Sequence, residues 1–562
     1  MHVRQRGGVG VQTDISINGG TFDQITILLN GVNISSPQTG HNAADFPVSL
    51  SDIERIEVLE GASARVFGSS AFNGAINIVT RPDRESCVRL SAEGGSFGSF
   101  GGDFGVSLLT GSVSQKLSGG YTQSDGGTKN SDFKRRRAYY TGSYTSRYAD
   151  LVWQAGLSSQ DYGASTFYSA KFDNQWEATR RIITSAQADI KPFGDERFVI
   201  TPQAYWHRDV DHYQLTRGKE GAKNGENYHR TDVYGASLNA HATWLLGKTA
   251  VGIDIRKEHI LSTAYGDLLP ENEWKDIHGT DRRYDHRGDR TNTSLFLEHN
   301  VILGGFTLSA GVLANRNTGL DGDFRFYPGV DLSYRPNEMW KFYASWNKAL
   351  RVPTYTDLYT SNSVQQGDTG LRPERTSTFK VGTRFRTRGV EAVVSGFYSK
   401  GNDIIDWVYE TEESRKYHAM NIGKLDNMGY SVDATLNMTE LLPGSFVTRI
   451  KAGYARIHQR HTTEQPVYRS LYALEYLRHK ATFQLDHRIW SRLSASWAVR
   501  WQERMNHYEP YTKVDCKLQW TAPTYSLYVK ADNITNHRYY DLGGVRQPGL
   551  WIMAGGSVKI GL

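Results

Sequence analysis

At 562 residues the chain could hold three or four ordinary domains of about 150 residues each, yet its composition points to one repetitive architecture. Glycine numbers 56 and Tyr, Phe and Trp together make 12%, against 15 prolines and 7 methionines. No apolar run approaches the roughly 18 residues of a membrane helix, and the aromatic content argues against disorder. The formal charge of +6 is spread thinly and leaves no nucleic-acid footprint. The one tight basic run, Lys134 to Arg137, reads as a solvated loop.

The chain opens on MHVRQRGGVG, without the apolar core and small-residue cleavage site of a secretory signal. Either the protein stays in the cytoplasm or its true beginning lies upstream. Residues 1–82 hold short apolar strands at 25–29, 56–59 and 75–79 among glycine-rich turns. Ser51 and Glu54, three apart just before Ile56, have the spacing of a capping box. This is a small α+β module, too short for much stability of its own.

From about residue 86 a two-residue rhythm takes over. Leu550, Ile552, Ala554, Val558 and Ile560 fall on one face of the last segment, and Trp551, Met553, Ser557 and Lys559 on the other. Residues 340–346, 493–501 and 514–520 alternate in the same way, which is the period of a strand. In a soluble sandwich the apolar face would pack on a second sheet; in an outer-membrane barrel it would meet lipid. Aromatics near strand ends favour the membrane. So do connections that alternate between short (111–114, 149–150) and long and polar (124–137, 207–230, 411–419). At roughly 20–22 residues per strand and connection, residues 83–562 make about 22–24 strands. A barrel that wide needs a plug, and residues 1–82 supply one. The expected fold is an all-β membrane protein, an antiparallel barrel of about 22 strands with a small N-terminal α+β plug in its lumen. Cys87 and Cys516 lie far apart, without metal-ligand spacing, and read as thiols.

Several segments resemble the TonB-dependent outer-membrane receptors. Residues 14–20 (DISINGG), 27–32 (ILLNGV) and 53–80 (IERIEVLEGASARVFGSSAFNGAINIVT) are similar to that family's plug. Residues 346–359 (WNKALRVPTYTDLY) resemble its FRAP region, with Val352 in place of the usual Ala, and 367–374 (GDTGLRPE) its NPNL box. Residues 402–407, 421–433 and 529–539 match further barrel segments. The resemblance implies a receptor that binds a scarce bulky nutrient and imports it with work delivered by the TonB energy-coupling complex, in a barrel embedded in outer-membrane lipid. A surface lipoprotein lid belongs to the same set of partners, although sugar importers that carry one are normally longer. The family's plug begins some 50 residues earlier, after a coupling box, so the chain reads as N-terminally truncated. Its last residue, Leu562, stands where the family mostly has Phe or Trp.

An enzyme finds no support: P-loop, G-x-S-x-G and H-E-x-x-H motifs are absent. The acid pairs Glu412/Glu413 and Asp209/Asp211 fall in expected loops and read as solvated. No cofactor and no metal ligand set is expected. Two plug loops should point outward, 18–24 and 33–46. In the second, Pro37 fixes its own φ and Gly40 allows a sharp bend, presenting Gln38, Thr39 and His41. Phe22, Asp23 and Gln24 on the first would add a flat apolar face and hydrogen-bonding groups. These six are the candidate ligand-binding residues, with capping of the loop against the barrel wall as the plain structural alternative. Glu54, Arg55, Glu57 and Arg65 are candidates for the plug–barrel interface, either as structural salt bridges or as a labile, wet contact that yields under force.

The first loop and residues 345–434 resemble cobalamin receptors, which makes a corrinoid the leading substrate. A ferric siderophore is the alternative, favoured by Arg135, Arg136, Arg137 and Arg217. The rival class is a non-transporting barrel that binds phage or bacteriocin. Haem fits less well, because residues 351–370 contain no His, and acid-dense calcium loops are absent.

Overall fold

The computed structural model describes residues 1–8, 11–41, 45–60, 73–80, 85–505, 508–542 and 544–562. Twenty-two long antiparallel strands, from Cys87–Gly95 to Trp551–Gly561, close into a barrel. The closing seam pairs the last strand with the first, Met553 opposite Gly95 through Gly561 opposite Cys87. Closure leaves the sheet without a free edge, which is what a β-structure in hydrocarbon requires. Among the described residues no helix is long and apolar enough to cross a membrane.

The two-residue period sorts the wall as its sequence implies. In Trp551–Gly561, Trp551 and Met553 are buried inward while Ile552 and Ile560 are exposed outward. At the end of the short turns, Tyr148, Phe193, Trp244, Phe306, Trp340, Phe446 and Trp490 stand exposed on the outer surface. They form the aromatic girdle expected at a lipid interface.

Four expectations need correction. Lys134 to Arg137 are not in a loop but inside the strand Phe133–Thr145. There Arg137 turns inward to Asp103 at 2.8 Å, and Arg135 to Gln160 and the carbonyl of Val11. Arg136 lies over the ring of Tyr121. Asp209 and Asp211 are likewise in a strand, Phe198–Gln214, and both are buried. The strands flanking this connection run so far past the membrane that only residues 215–225 remain as loop. The capping box sits two residues early: Ser49 and Asp52 form it around the short 3₁₀ turn Leu50–Asp52.

Inside the lumen, Val32–Asn33, Thr26–Leu29, Ala75–Thr80 and Ile53–Leu59 form a four-stranded sheet in that order. Thr26–Leu29 runs parallel to Ala75–Thr80. Asn30 and Gly31, with φ of 52° and 79°, make the tight turn into Val32; both values lie in the left-handed region that Gly and Asn tolerate. The plug core, including Ile17, Ile27, Leu29, Ile34, Ile76 and Ile78, is completed by Tyr139, Ile183, Tyr205 and Val233 of the wall. A module this small finds in the barrel the second layer that it cannot build alone.

Candidate functional site

The plug loop 33–41 is held from two sides. Arg256 of the wall donates to the carbonyls of Asn33 (3.3 Å) and Ser35 (2.6 Å). On the other side, the first amides of the helix Tyr355–Tyr359 donate to plug carbonyls, Tyr355 to Pro37 at 3.0 Å and Thr356 to Gln38 at 3.1 Å. This helix lies in the FRAP-like segment. Its free N-terminal N–H groups are natural donors for an incoming carbonyl.

The same loop packs on the 3₁₀ turn Phe22–Gln24. Gly40 donates to Asp23 Oδ1 at 2.7 Å, and a Cβ at Gly40 would stand 2.5 Å from that oxygen, so the close approach requires glycine. His41 stacks on Phe22, with ring centroids 4.0 Å apart, and Tyr472 meets Phe22 edge-on at 5.0 Å. Such pairs fix ring orientation as well as bury area.

Behind the rings, Arg6 and Asp14 form a buried ion pair at 2.8 Å, and Asp14 lies 3.1 Å from His41 Nδ1. Burial pushes the Asp14 carboxyl up, but Arg6 and His41 outweigh it and hold the group at about 2. Burial and the Arg6 charge keep His41 below its usual range and so neutral. Nδ1–H therefore donates to Asp14, and the Nε2 lone pair faces Tyr472 Oη at 3.5 Å. Asp23 goes the other way. Burial, aided by Asp357 and opposed by Arg351 at 3.9 Å, pushes it up to about 7.

Phe22, Asp23, His41, Asp357 and Tyr472 line a pocket of about 850 Å³ that is open to solvent, with Arg6, Asp14 and Arg351 behind it. Of the six candidate ligand residues, Phe22, Asp23, Gln38, Thr39 and His41 lie on it, and Gln24 does not. A 3₁₀ turn rotates by a third of a circle per residue. Gln24 thus folds back, accepting from Thr21 N at 3.0 Å and donating to Glu374 at 2.9 Å. Sequence reasoning missed the wall residues of the pocket, among them Tyr168, Glu177, Asp211, His229, Tyr265, Trp407 and Tyr472. For Asp211 and Tyr213 a signal was present: with Asp209 they share one parity of a strand. Trp407 belongs to a loop sheet in which Ile405–Tyr409 pairs with Tyr417–Asn421 and Arg469–Ser470. Asp406 clasps this sheet, accepting from the amides of Trp407, Tyr472 and Ala473 and from the Ser470 hydroxyl.

The basic groups that favoured an anionic ligand are engaged elsewhere. Arg217 makes a bidentate pair with Asp132 at 2.6 and 2.9 Å, and Arg135, Arg136 and Arg137 are occupied as described above. At the plug–barrel interface, Arg55 pairs with Glu54 (3.2 Å) and Glu57 (2.7 Å) along its own strand, and Glu57 accepts from Asn77 at 2.9 Å. Consecutive residues of one exposed strand end meet each other before they reach the wall. Arg65 lies outside the described residues. Contacts across the interface come instead from Asp52 to Lys116 at 3.0 Å, from Asp45 to Ser158 and Thr179, and from Glu60 to Lys380.

Residues 88–534 match the family described as TonB dependent receptor-like, beta-barrel, and residues 1–75 match the TonB-dependent receptor plug domain. The chain is 23% identical over 461 residues to the vitamin B12 transporter BtuB of Photobacterium profundum, across 76% of this chain and 67% of that one. Its fold is similar to that of the FrpB iron transporter of Neisseria meningitidis in its apoprotein form. The TM-score is 0.79 at 17% identity, over 99% of this chain and 95% of that one. It is similar also to the copper transporter OprC, with a TM-score of 0.81 at 16% identity over 100% and 93%. A third similar fold is the siderophore receptor PirA of Pseudomonas aeruginosa, with a TM-score of 0.72 at 16% identity over 99% and 95%. At such identities the likeness is one of fold.

Proposed function

We propose that this chain, which belongs to the TonB-dependent receptors and forms an outer-membrane β-barrel, imports a corrinoid, cobalamin or a close relative, with work supplied through TonB. The family consists of transport receptors. The observation that carries the substrate reading is the pocket lining. Flat rings (Phe22, Tyr168, Trp407, Tyr472) surround neutral or acidic hydrogen-bonding groups (Gln38, Thr39, His41, Asp211), and no Lys or Arg lies among the described lining residues. A corrinoid offers a broad apolar disc edged with amides, which such a lining complements. The distant likeness to a vitamin B12 transporter supports the same reading.

Gln38 and His41 stand on a loop clamped to both the plug and the FRAP-like helix, so a ligand touching them also touches the element that must move for passage. Calorimetry of the detergent-solubilised chain with cyanocobalamin tests the site. Gln38→Ala and His41→Ala should each weaken binding by about fivefold, the worth of one hydrogen bond near 1 kcal/mol. Unchanged affinity in both would refute the site, and no binding by the parent would refute the substrate. A ferric siderophore that binds the parent instead would establish the alternative, and a barrel that binds phage but takes up no ligand would establish the rival class.

A further inference from the structure

On one wall of the pocket the strands Trp176–Ile190 and Phe198–Gln214 pair so that Thr179 stands opposite Asp211 and Glu177 opposite Tyr213. Glu177 and Asp211 are therefore diagonal neighbours on the same inward face. Both are buried and both line the pocket. Asp211 Oδ2 accepts from Gln38 Nε2 at 2.7 Å, while Oδ1, also buried, has no hydrogen-bond partner among the described residues. Glu177 accepts from the hydroxyl of Tyr168, another pocket residue. A buried carboxylate oxygen without a donor is costly unless something occupies it. The four acids on the lining are not alike in this respect. Arg351 stands behind Asp23 and Asp357, at 3.9 and 3.1 Å, whereas no Lys or Arg among the described residues forms an ion pair with Asp211.

We infer that Asp211, flanked by Glu177, is a subsite that takes an N–H donor or a positive charge of the incoming ligand, and that this wall selects against polyanionic chelates. The inference rests on the pocket being the ligand site, and it narrows the substrate to donor-rich, uncharged or cationic molecules. The amide edge of a corrinoid meets that description. A tris-catecholate iron complex, which carries a net negative charge, would bring that charge against the buried carboxyl of Asp211, with which no Lys or Arg among the described residues forms an ion pair.

The test uses the full chain in detergent and three probes: cyanocobalamin, a ferric hydroxamate bearing a free ammonium group, and a polyanionic ferric tris-catecholate. Asp211→Asn keeps an oxygen for Gln38, so the loop stays seated, but turns an amide N–H rather than a carboxyl oxygen to the ligand. It should weaken cyanocobalamin about fivefold, as expected for the loss of one hydrogen bond. Glu177→Gln should weaken it about threefold, reporting a flanking field rather than a direct bond. Catecholate binding should be weakest of the three in the parent and should improve in Asp211→Asn. Should that variant fail to form the barrel, Glu177→Gln still reports the ordering of the three probes. The proposal is overturned by unchanged cyanocobalamin affinity in Asp211→Asn, or by a parent that binds the catecholate most tightly. A parent that ignores cyanocobalamin, yet binds the ammonium-bearing chelate and loses it in Asp211→Asn, refutes the corrinoid while retaining the subsite. A parent that binds none of the three overturns both.

Discussion

The two ends of the lumen are built by opposite rules. At the long-loop end, rings and buried charges crowd a pocket of about 850 Å³, and Arg351, Asp357 and Glu374 form a hub beneath it. At the short-turn end a cavity of about 2100 Å³ separates plug and wall. Its lining is largely hydroxyls and amides, including Thr141, Ser143, Gln154, Ser185, Gln187, Thr201 and Gln203. Charge that is buried and paired gives defined geometry at high energetic stakes. Neutral groups beside water give a surface that asks little of what passes along it. One end is defined by buried, paired charge, the other mainly by hydroxyls and amides.

The sharpest way to break this contrast is at the hub. Arg351 donates to Glu374 at 2.7 and 3.2 Å and to Asp357 at 3.1 Å, and all three are buried. Arg351→Met strands two carboxylates and should cost about 3–5 kcal/mol. A lower temperature for the shift in mobility between unheated and boiled samples would register it. A loss below about 1 kcal/mol, the scale of an exposed pair, would mean that the outer end is not the energetic anchor of the lumen.

Acid–base titration sharpens the contrast with two opposite slopes. Asp14, held at about 2, is below its ordinary 3.8, so its stabilisation is present above that ordinary value and is lost as pH falls through about 2. The parent should lose about 2 kcal/mol more than Asp14→Asn across that acid range. Asp23, raised to about 7, binds an extra proton in the folded state. Its contribution is complete below the ordinary 3.8 and disappears as pH rises through about 7. Asp23→Asn should therefore gain on the parent between about pH 4 and pH 7, read as the difference in melting temperature. Parallel pH curves for parent and variant would remove the charge argument at this end.

The barrel was legible because its signal is repeated. The alternation recurs from strand to strand, so twenty-two weak cues add up, and three plug strands were found within a few residues, while His2–Arg6, Gln12–Ser16 and Val32–Asn33 were missed. The site was legible only in part. Pro37, Gly40 and the polar residues beside them mark a presented loop from local turn chemistry alone. Asp209 and Asp211 were misplaced because a strand extending beyond the membrane carries acids that read locally as loop. The pairing of Arg55 with Glu57, two residues on in the same strand, follows from the strand period and was within reach of the sequence. Tyr472 reaches Phe22 across 450 positions, and Asp211 meets Gln38 across 173, through a closure that no local pattern encodes.

The smallest effect is expected at the inner end, and its smallness is the informative part. Gln203 donates to Gln187 at 2.8 Å, and Thr201 to Asp189 at 2.8 Å; all four are only partly buried, and Gln187, Thr201 and Gln203 line the wide cavity. Gln203→Ala leaves Gln187 with water as a replacement partner, so no desolvated group is stranded and the asymmetry that makes buried hydrogen bonds costly does not apply. Stability should change by no more than about 0.5 kcal/mol, and cyanocobalamin affinity should stay within about twofold. Thr201→Val should behave alike, because Asp189 is only partly buried. A loss above about 1.5 kcal/mol, the cost of a stranded polar group, would show that this cavity is as tightly specified as the pocket above it. A tenfold change in affinity would mean that the ligand reaches deeper than Phe22 and Gln38.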